Sequence, residues 1–343
     1  EDIKVVVNGA GAAAVSCSRL YLSLGVKAEN LVVADSKGVL NKDRKDLNPI
    51  KQQFITQRNI NTLAEAMVGA DMFLGLSVAG VVTPEMLLSM NENPIVFALA
   101  NPVPEISYDL AVATRPDIIM GTGRSDFPNQ VNNVLGFPYI FRGALDVRAS
   151  AINEEMKLAA AHALADLAKQ PVPEEVNVAY QVTNLKFGKE YIIPKPSDPR
   201  LITHIAPAVA RAAMDSGVAR KPIENWEAYS DELIKRLGLS NPLIRQIKAR
   251  AKKNPKRVVF AEAENYKILK AAEIAVDDSI AVPILLGNRD VITDLIKTHD
   301  LELDGVEIID PKCPEENERR LHYATQFYEK RKRRGLTMAA ACD

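Results

Sequence analysis

A glycine turn set between a short β-branched run and a long stretch free of helix breakers is the feature that leaves this chain the fewest folds. Residues Ile3 to Val7 are apolar, Asn8-Gly9 closes the run, and neither Gly nor Pro occurs from Ala12 to Leu24. That pattern predicts a strand, a tight turn and a helix. The turn reads Gly9-Ala10-Gly11-Ala12-Ala13-Ala14. In a turn of this type Gly9 makes the bend, Gly11 lets the backbone approach a pyrophosphate, and Ala14 is small enough for helix and strand to pack closely. The unpaired N–H groups and the dipole of the following helix suit phosphate. Such a turn alone could merely pack a helix on a sheet. Here a second apolar run, Leu31 to Ala34, ends in Asp35, 21 residues beyond Ala14. A carboxylate so placed can accept hydrogen bonds from an adenosine ribose, and the combination predicts a dinucleotide site. Asp35 favours NAD, because it would repel a 2′-phosphate, whereas Lys37, Lys42 and Arg44 close behind it could bind one. The choice between NAD and NADP stays open at this point.

Further strands are expected at Met72–Leu76, Ile95–Leu99 and Ile118–Met120, with a helix at Thr62–Val68. Strands alternating with helices predict an α/β fold with a Rossmann-type, doubly wound parallel sheet. Beyond Gly143, Ile152, Met156, Ala160, Leu164 and Leu167 recur at helical spacing after an Asn153 cap. Ile193–Pro199 holds three prolines in seven residues and must be an extended loop leading to a small-residue helix, Leu201–Ser216. The charged stretch 221–255, punctuated by Pro222, Pro242 and Pro255, is expected to connect this domain, 1–220, to a partial second α/β domain, 256–343. There, strands are expected at Val258–Ala261, Val282–Leu286 and Val306–Ile309, and a last helix from about Pro314 to Arg334.

Charge and composition narrow the partners. The 43 basic and 44 acidic side chains give no net field to recruit nucleic acid or an anionic surface, and no window is apolar enough for a bilayer. Three cysteines, Cys17, Cys313 and Cys342, form no CxxC pair and no disulfide framework, which suits a reducing cytoplasm. A small-molecule substrate is the expectation. The chain opens without Met directly on its first strand, so a preceding segment is expected as well.

Several segments carry a family resemblance: Val7–Ala14, Leu76-Ser77, Ala98–Pro102, Thr122–Asn133 and Phe141–Asp146 resemble bacterial malic enzymes, over Glu1 to about Arg220. The run Pro255–Glu264 looks like the opening of a phosphate acetyltransferase domain. That order is the one found in the multidomain form of the family. The resemblance implies oxidative decarboxylation of malate to pyruvate and CO2 with NAD or NADP and Mg²⁺ or Mn²⁺. It places Asn101 and Asn132 at the malate and the nicotinamide end; with the turn and the strand ends, the cofactor site is expected at Gly9, Ala10, Gly11, Ala12, Ala14, Asp35, Lys37, Ser77, Asn101 and Asn133. An amide suits this chemistry, since it can donate to one malate oxygen and accept from the hydroxyl while keeping the hydride path uncharged. Asn129, Gln130, Asn132 and Asn133 make a segment that reads as too polar for a core. The catalytic Tyr and Lys and the metal carboxylates of the family lie ahead of the glycine turn, so no catalytic or metal-binding residue is expected within this chain, which by itself should bind cofactor without turnover. His162, His204, His299 and His322 are scattered, and Lys195 is at most an anion contact. The resemblance further implies a homo-oligomer, with acetyl-CoA as a regulator of the transferase-like domain. The rival reading makes the chain an acyl-CoA or phosphate-binding transferase module. A plain hydroxy-acid dehydrogenase would share the first domain and leave the second unexplained.

Overall fold

The apolar run behind Lys4 becomes β1 (Val5–Asn8), buried at all four positions because both faces of a parallel sheet are covered. The computed structural model describes residues 2–182, 184–237 and 242–342. After β1 come α1 (Ala12–Ser23), β2 (Leu31–Asp35), β3 (Gly38–Val39), α2 (Pro49–Gln52), α3 (Leu63–Met67), β4 (Met72–Gly75), α4 (Pro84–Leu88), β5 (Ile95–Ala98), α5 (Tyr108–Thr114) and β6 (Ile119–Thr122). The strands form one six-stranded sheet in the order β3-β2-β1-β4-β5-β6. β1 pairs with β2 on one side and with β4 on the other, Val5 standing opposite both Leu31 and Met72. The chain therefore reverses its direction of travel across the sheet between β1 and β4, which is where an open α/β sheet leaves a crevice at its carboxyl edge.

Alternate side chains feed the two faces. Val6, Val32, Phe73 and Val96 enter one buried cluster, and Val5, Val7, Leu31, Val33 and Leu74 enter the other. The expected parallel α/β sheet is present, with one addition. β3 runs antiparallel to β2, pairing Ala34 with Val39 and Asp35 with Gly38. Two residues are too few to show a period of two, so the sequence pattern gave no sign of it.

After β6 the chain continues with α6 (Phe137–Asp146), α7 (Glu154–Ala168), α8 (Glu174–Tyr180), α9 (Leu201–Asp215) and α10 (Trp226–Arg236). Asn153 caps α7 by accepting a hydrogen bond from the Met156 amide at 3.1 Å, and Met156, Ala160 and Leu167 are buried as the spacing predicts. Small residues let α6 and α9 approach closely: a Cβ on Gly143 would stand 2.4 Å from the Ala206 carbonyl oxygen and 2.8 Å from Val209 Cβ. Tyr229 and Leu233 of α10 pack on Ala206, and the Tyr229 hydroxyl donates to Asp146 at 2.7 Å. The first helix of the expected 221–255 connector thus belongs to this core, while residues 238–241 of that stretch lie outside the described residues.

The chain divides into two units, Glu1–Tyr180 with Leu185–Gly238, and Gln181–Asn184 with Leu239–Asp343. The second contains α11 (Pro242–Lys253), β7 (Lys256–Phe260), α12 (Tyr266–Asp277), β8 (Ala281–Leu286), α13 (Arg289–Thr298), β9 (Glu307–Ile309), α14 (Asn317–Arg331) and α15 (Met338–Cys342). Its three strands are parallel in the order β7-β8-β9, and Leu269, Ala272, Leu285 and Ile292 form its centre. Val258 and Val259 of β7 are 41% and 56% exposed, so this sheet is incompletely covered. The last helix is shorter than expected, ending at Arg331 before a separate turn and α15. No described helix is long and apolar enough to cross a membrane.

Candidate functional site

β1 delivers Gly9 to the bottom of the crevice. Its amide donates to the Ala34 carbonyl at 2.8 Å, which ties the turn to β2. Its φ of +124° favours glycine, and a Cβ there would lie 2.5 Å from the Leu76 carbonyl oxygen. The close approach is made by the end of β4, so this glycine is required by the fold itself. Gly11 is different. It is exposed, with no heavy atom within 4 Å of where its Cβ would stand, and it precedes α1 without any side-chain cap. The first turn of α1 carries no acidic residue, and Ala14 is buried. Gly9, Gly11 and Ala14, with Ala10 and Ala12 between them, thus form the strand-turn-helix junction that the sequence predicts.

Asp35, at the end of β2, does not stand free. Arg44 Nη1 and Nη2 donate to its two oxygens at 3.1 and 3.2 Å, Lys51 Nζ donates at 2.7 Å, and the Lys37 amide at 2.9 Å. Burial alone would raise the pKa of this carboxyl, but the hydrogen bonds from Arg44, Lys51 and the Lys37 backbone outweigh it and bring it down to about 2. Arg44 also grips Asp46, at 2.7 Å through Nε, and Lys37 Nζ reaches Asp46 at 2.8 Å. Three cations thus face two carboxylates, and Asp35 has both oxygens engaged before any ribose arrives. Lys51, 16 residues from Asp35, went unnoticed in the sequence because only the antiparallel excursion through β3 brings it back to the sheet edge.

The other half of the crevice is organised by an acid that no sequence motif marked. Glu105 is fully buried, and its Oε1 accepts from the Ser77 amide at 3.0 Å while Oε2 accepts from the Ala100 amide at 3.0 Å. Ser77, just past β4, also receives the Asn8 side chain at 2.7 Å. Asn101 is exposed beyond β5, and a Cβ on Gly123 would lie 3.4 Å from its Oδ1, so the ends of β5 and β6 meet at this amide. Asn132 and Asn133 are exposed too, and the Asn132 side-chain oxygen accepts from the Val134 amide at 3.0 Å. Asn129 contradicts the expectation of a segment too polar for the interior. It is 2% exposed, donates to the Met120 and Lys189 carbonyls at 2.9 and 2.8 Å, and accepts from the Ile192 amide at 2.9 Å. A fully partnered amide is at home in a core.

Burial raises the Cys17 thiol pKa, which keeps it protonated on α1. Lys195 lies with Nζ 5.0 Å from the centre of the Tyr180 ring, and burial lowers its pKa. Among the described residues no three His, Cys, Asp or Glu side chains come together as a metal site.

Comparison with known proteins agrees with this architecture. The family profile described as malic enzyme, NAD binding domain, matches residues 1–190, and that of phosphate acetyl/butaryl transferase matches 242–343. An NADP-dependent malic enzyme of Haemophilus influenzae is 49% identical over 99% of this chain and 45% of its own length. An NAD-dependent malic enzyme of Rhizobium meliloti is 43% identical over 99% of this chain and 44% of its own. The crystal structure of malic enzyme from Pyrococcus horikoshii superimposes with a TM-score of 0.59 at 35% identity, over 71% of this chain and 56% of that one. The chain therefore spans less than half the length of these curated relatives. With the nucleotide-binding profile covering more than half of its residues, on a sheet whose switch point holds the matching turn, the chain belongs to the malic enzyme family.

Proposed function

We propose that the chain binds NADP and provides the cofactor half of a site that oxidises malate and decarboxylates it to pyruvate and CO2. The observation that carries the cofactor assignment is the cationic group on the β2–α2 excursion. Asp35 is already neutralised by Arg44 and Lys51, so it no longer repels a 2′-phosphate, and the excess positive charge with Lys37 favours one. In this reading the amides of Gly11, Ala12 and their neighbours at the start of α1 hold the pyrophosphate, with Gly9, Ala10 and Ala14 shaping the turn. Asp35 and Lys37 lie at the adenosine ribose. Ser77, Asn101 and Asn133 line the nicotinamide end, and Asn101 and Asn132 orient malate for hydride transfer.

The described residues do not fit the Mg²⁺ or Mn²⁺ that stabilises the enolate in such a decarboxylation, and we derive no step through it. The rival transferase reading rests on the second unit alone, where the loop after β7 presents the carboxylates Glu262 and Glu264 beside the end of β8, a poor welcome for phosphate. Titrating the chain with NADPH and NADH, followed by nicotinamide fluorescence, tests the proposal. NADPH should bind about tenfold more tightly, the worth of roughly one charge-assisted contact. Absence of binding by either nucleotide to the folded chain would sink it.

A further inference from the structure

Buried carboxylates are costly, and one held only by neutral donors is retained where its position matters. Glu105 is such a group. It is wholly inaccessible, its carboxylate receives the Ser77 and Ala100 amides at 3.0 Å each, and the Ser77 hydroxyl lies 3.4 Å away. Among the described residues no Lys or Arg pairs with it. The carboxyl group lies flat over Gly75 at the end of β4, so close that a Cβ there would stand 2.3 Å from Glu105 Cδ. Its backbone carbonyl meanwhile accepts from the Val82 amide at 3.1 Å, and the neighbouring Pro104 carbonyl accepts from the Gly80 amide at 3.2 Å.

The consequence is geometric. Ser77 heads the loop that leaves β4, Ala100 immediately precedes Asn101 in the loop that leaves β5, and Asn8, which donates to the Ser77 hydroxyl at 2.7 Å, ends β1. One carboxylate thus joins the carboxyl ends of three neighbouring strands, and it does so on the side of the switch point away from the Asp35 cluster. We propose that Glu105 is a positioning residue for the nicotinamide half of the cofactor site, fixing Ser77 and Asn101 while having no part in holding the adenosine half. This rests on the reading of the crevice as a dinucleotide site.

A carboxamide is nearly the same size but carries an NH2 group, which in Glu105→Gln must face either Ala100 N–H or Ser77 N–H, donor against donor. Calorimetric titration of the 343-residue chain with NADPH and with 2′,5′-ADP, which lacks the nicotinamide half, separates the alternatives. Glu105→Gln should raise Kd for NADPH about tenfold and leave Kd for 2′,5′-ADP within about twofold, on the scale of one lost hydrogen bond to a charged group. A parallel loss for both ligands would mean that Glu105 only supports the fold, and no loss for either would mean that it positions nothing, so each overturns the proposal. Should Glu105→Gln fail to fold, Glu105→Asp carries the test: it keeps the acid but draws it back from the Ser77 and Ala100 amides, and it should show the same selective loss, a parallel loss or none again overturning the proposal. Failure of the unaltered chain to bind NADPH would instead refute the underlying site.

Discussion

At the scale of single residues, the two glycines of the turn have opposite reasons to be there. A side chain at Gly9 meets the Leu76 carbonyl and an unfavourable backbone angle, whereas one at Gly11 meets nothing in the protein. Gly9→Ala should therefore cost about 3 kcal/mol of stability, measured by urea unfolding. Gly11→Val should keep the melting temperature and still weaken NADPH at least a hundredfold by occupying the pyrophosphate's place; retained affinity would refute the turn as a phosphate site. Asp35 adds a pH dependence. Its folded pKa, about 2, lies below its ordinary 3.8, so its contribution is complete above pH 4 and fades as pH falls through that window toward 2. The stability gap between the native chain and Asp35→Asn should be constant from pH 7 to 5 and shrink below pH 4.

At the residue scale the sequence speaks where the pattern is local: the strand, turn and helix around Gly9 form as expected, and Asp35 ends the next strand. Gly9, Gly11, Ala14 and Asp35 declare themselves by spacing along one strand-turn-helix unit and the next strand. Glu105 could not, because its partners Ser77 and Ala100 come together only through the pairing of β4 with β5. Asn129 was misread for the same reason: polarity says outside until the backbone groups that satisfy it, around Met120 and Lys189, are in place. Asn101 is reached through resemblance alone, and Asn132 through resemblance together with the polar run from Asn129 to Asn133.

At the scale of elements, caps and close approaches do much of the ordering. Thr62 and Glu65 form a reciprocal capping box on α3, and Asn153 caps α7. Asn153→Ala should lose about 1 kcal/mol. Gly143→Val should lose more, several kcal/mol, because α6 and α9 must separate before a side chain fits between Ala206 and Val209; thermal melts of the two variants should preserve that order. The helix periods and the strands with buried alternate faces were visible in sequence. The antiparallel β3, two residues long, falls below the window in which a period can be recognised, and the short helices α2, α4 and α5 were not visible either.

At the scale of the whole molecule, the two units have separate cores, one built on six strands and one on three. Ligand that binds only the folded first unit should raise the transition of that unit alone, by mass action. Differential scanning calorimetry with saturating NADPH should therefore move one of two heat-absorption peaks, and an equal shift of both would show that the units unfold together. The short antiparallel β3 then has a second consequence. Its pairing with Ala34 and Asp35, together with the Val131 amide bonded to the Thr122 carbonyl at 2.8 Å on β6, occupies both outer margins of the six-stranded sheet where they flank the crevice. At those carboxyl-end positions the margins offer no template for a foreign strand, whereas Val258 and Val259 of β7 lie bare, so self-association of partly opened molecules should start from β7 and leave the crevice unobstructed.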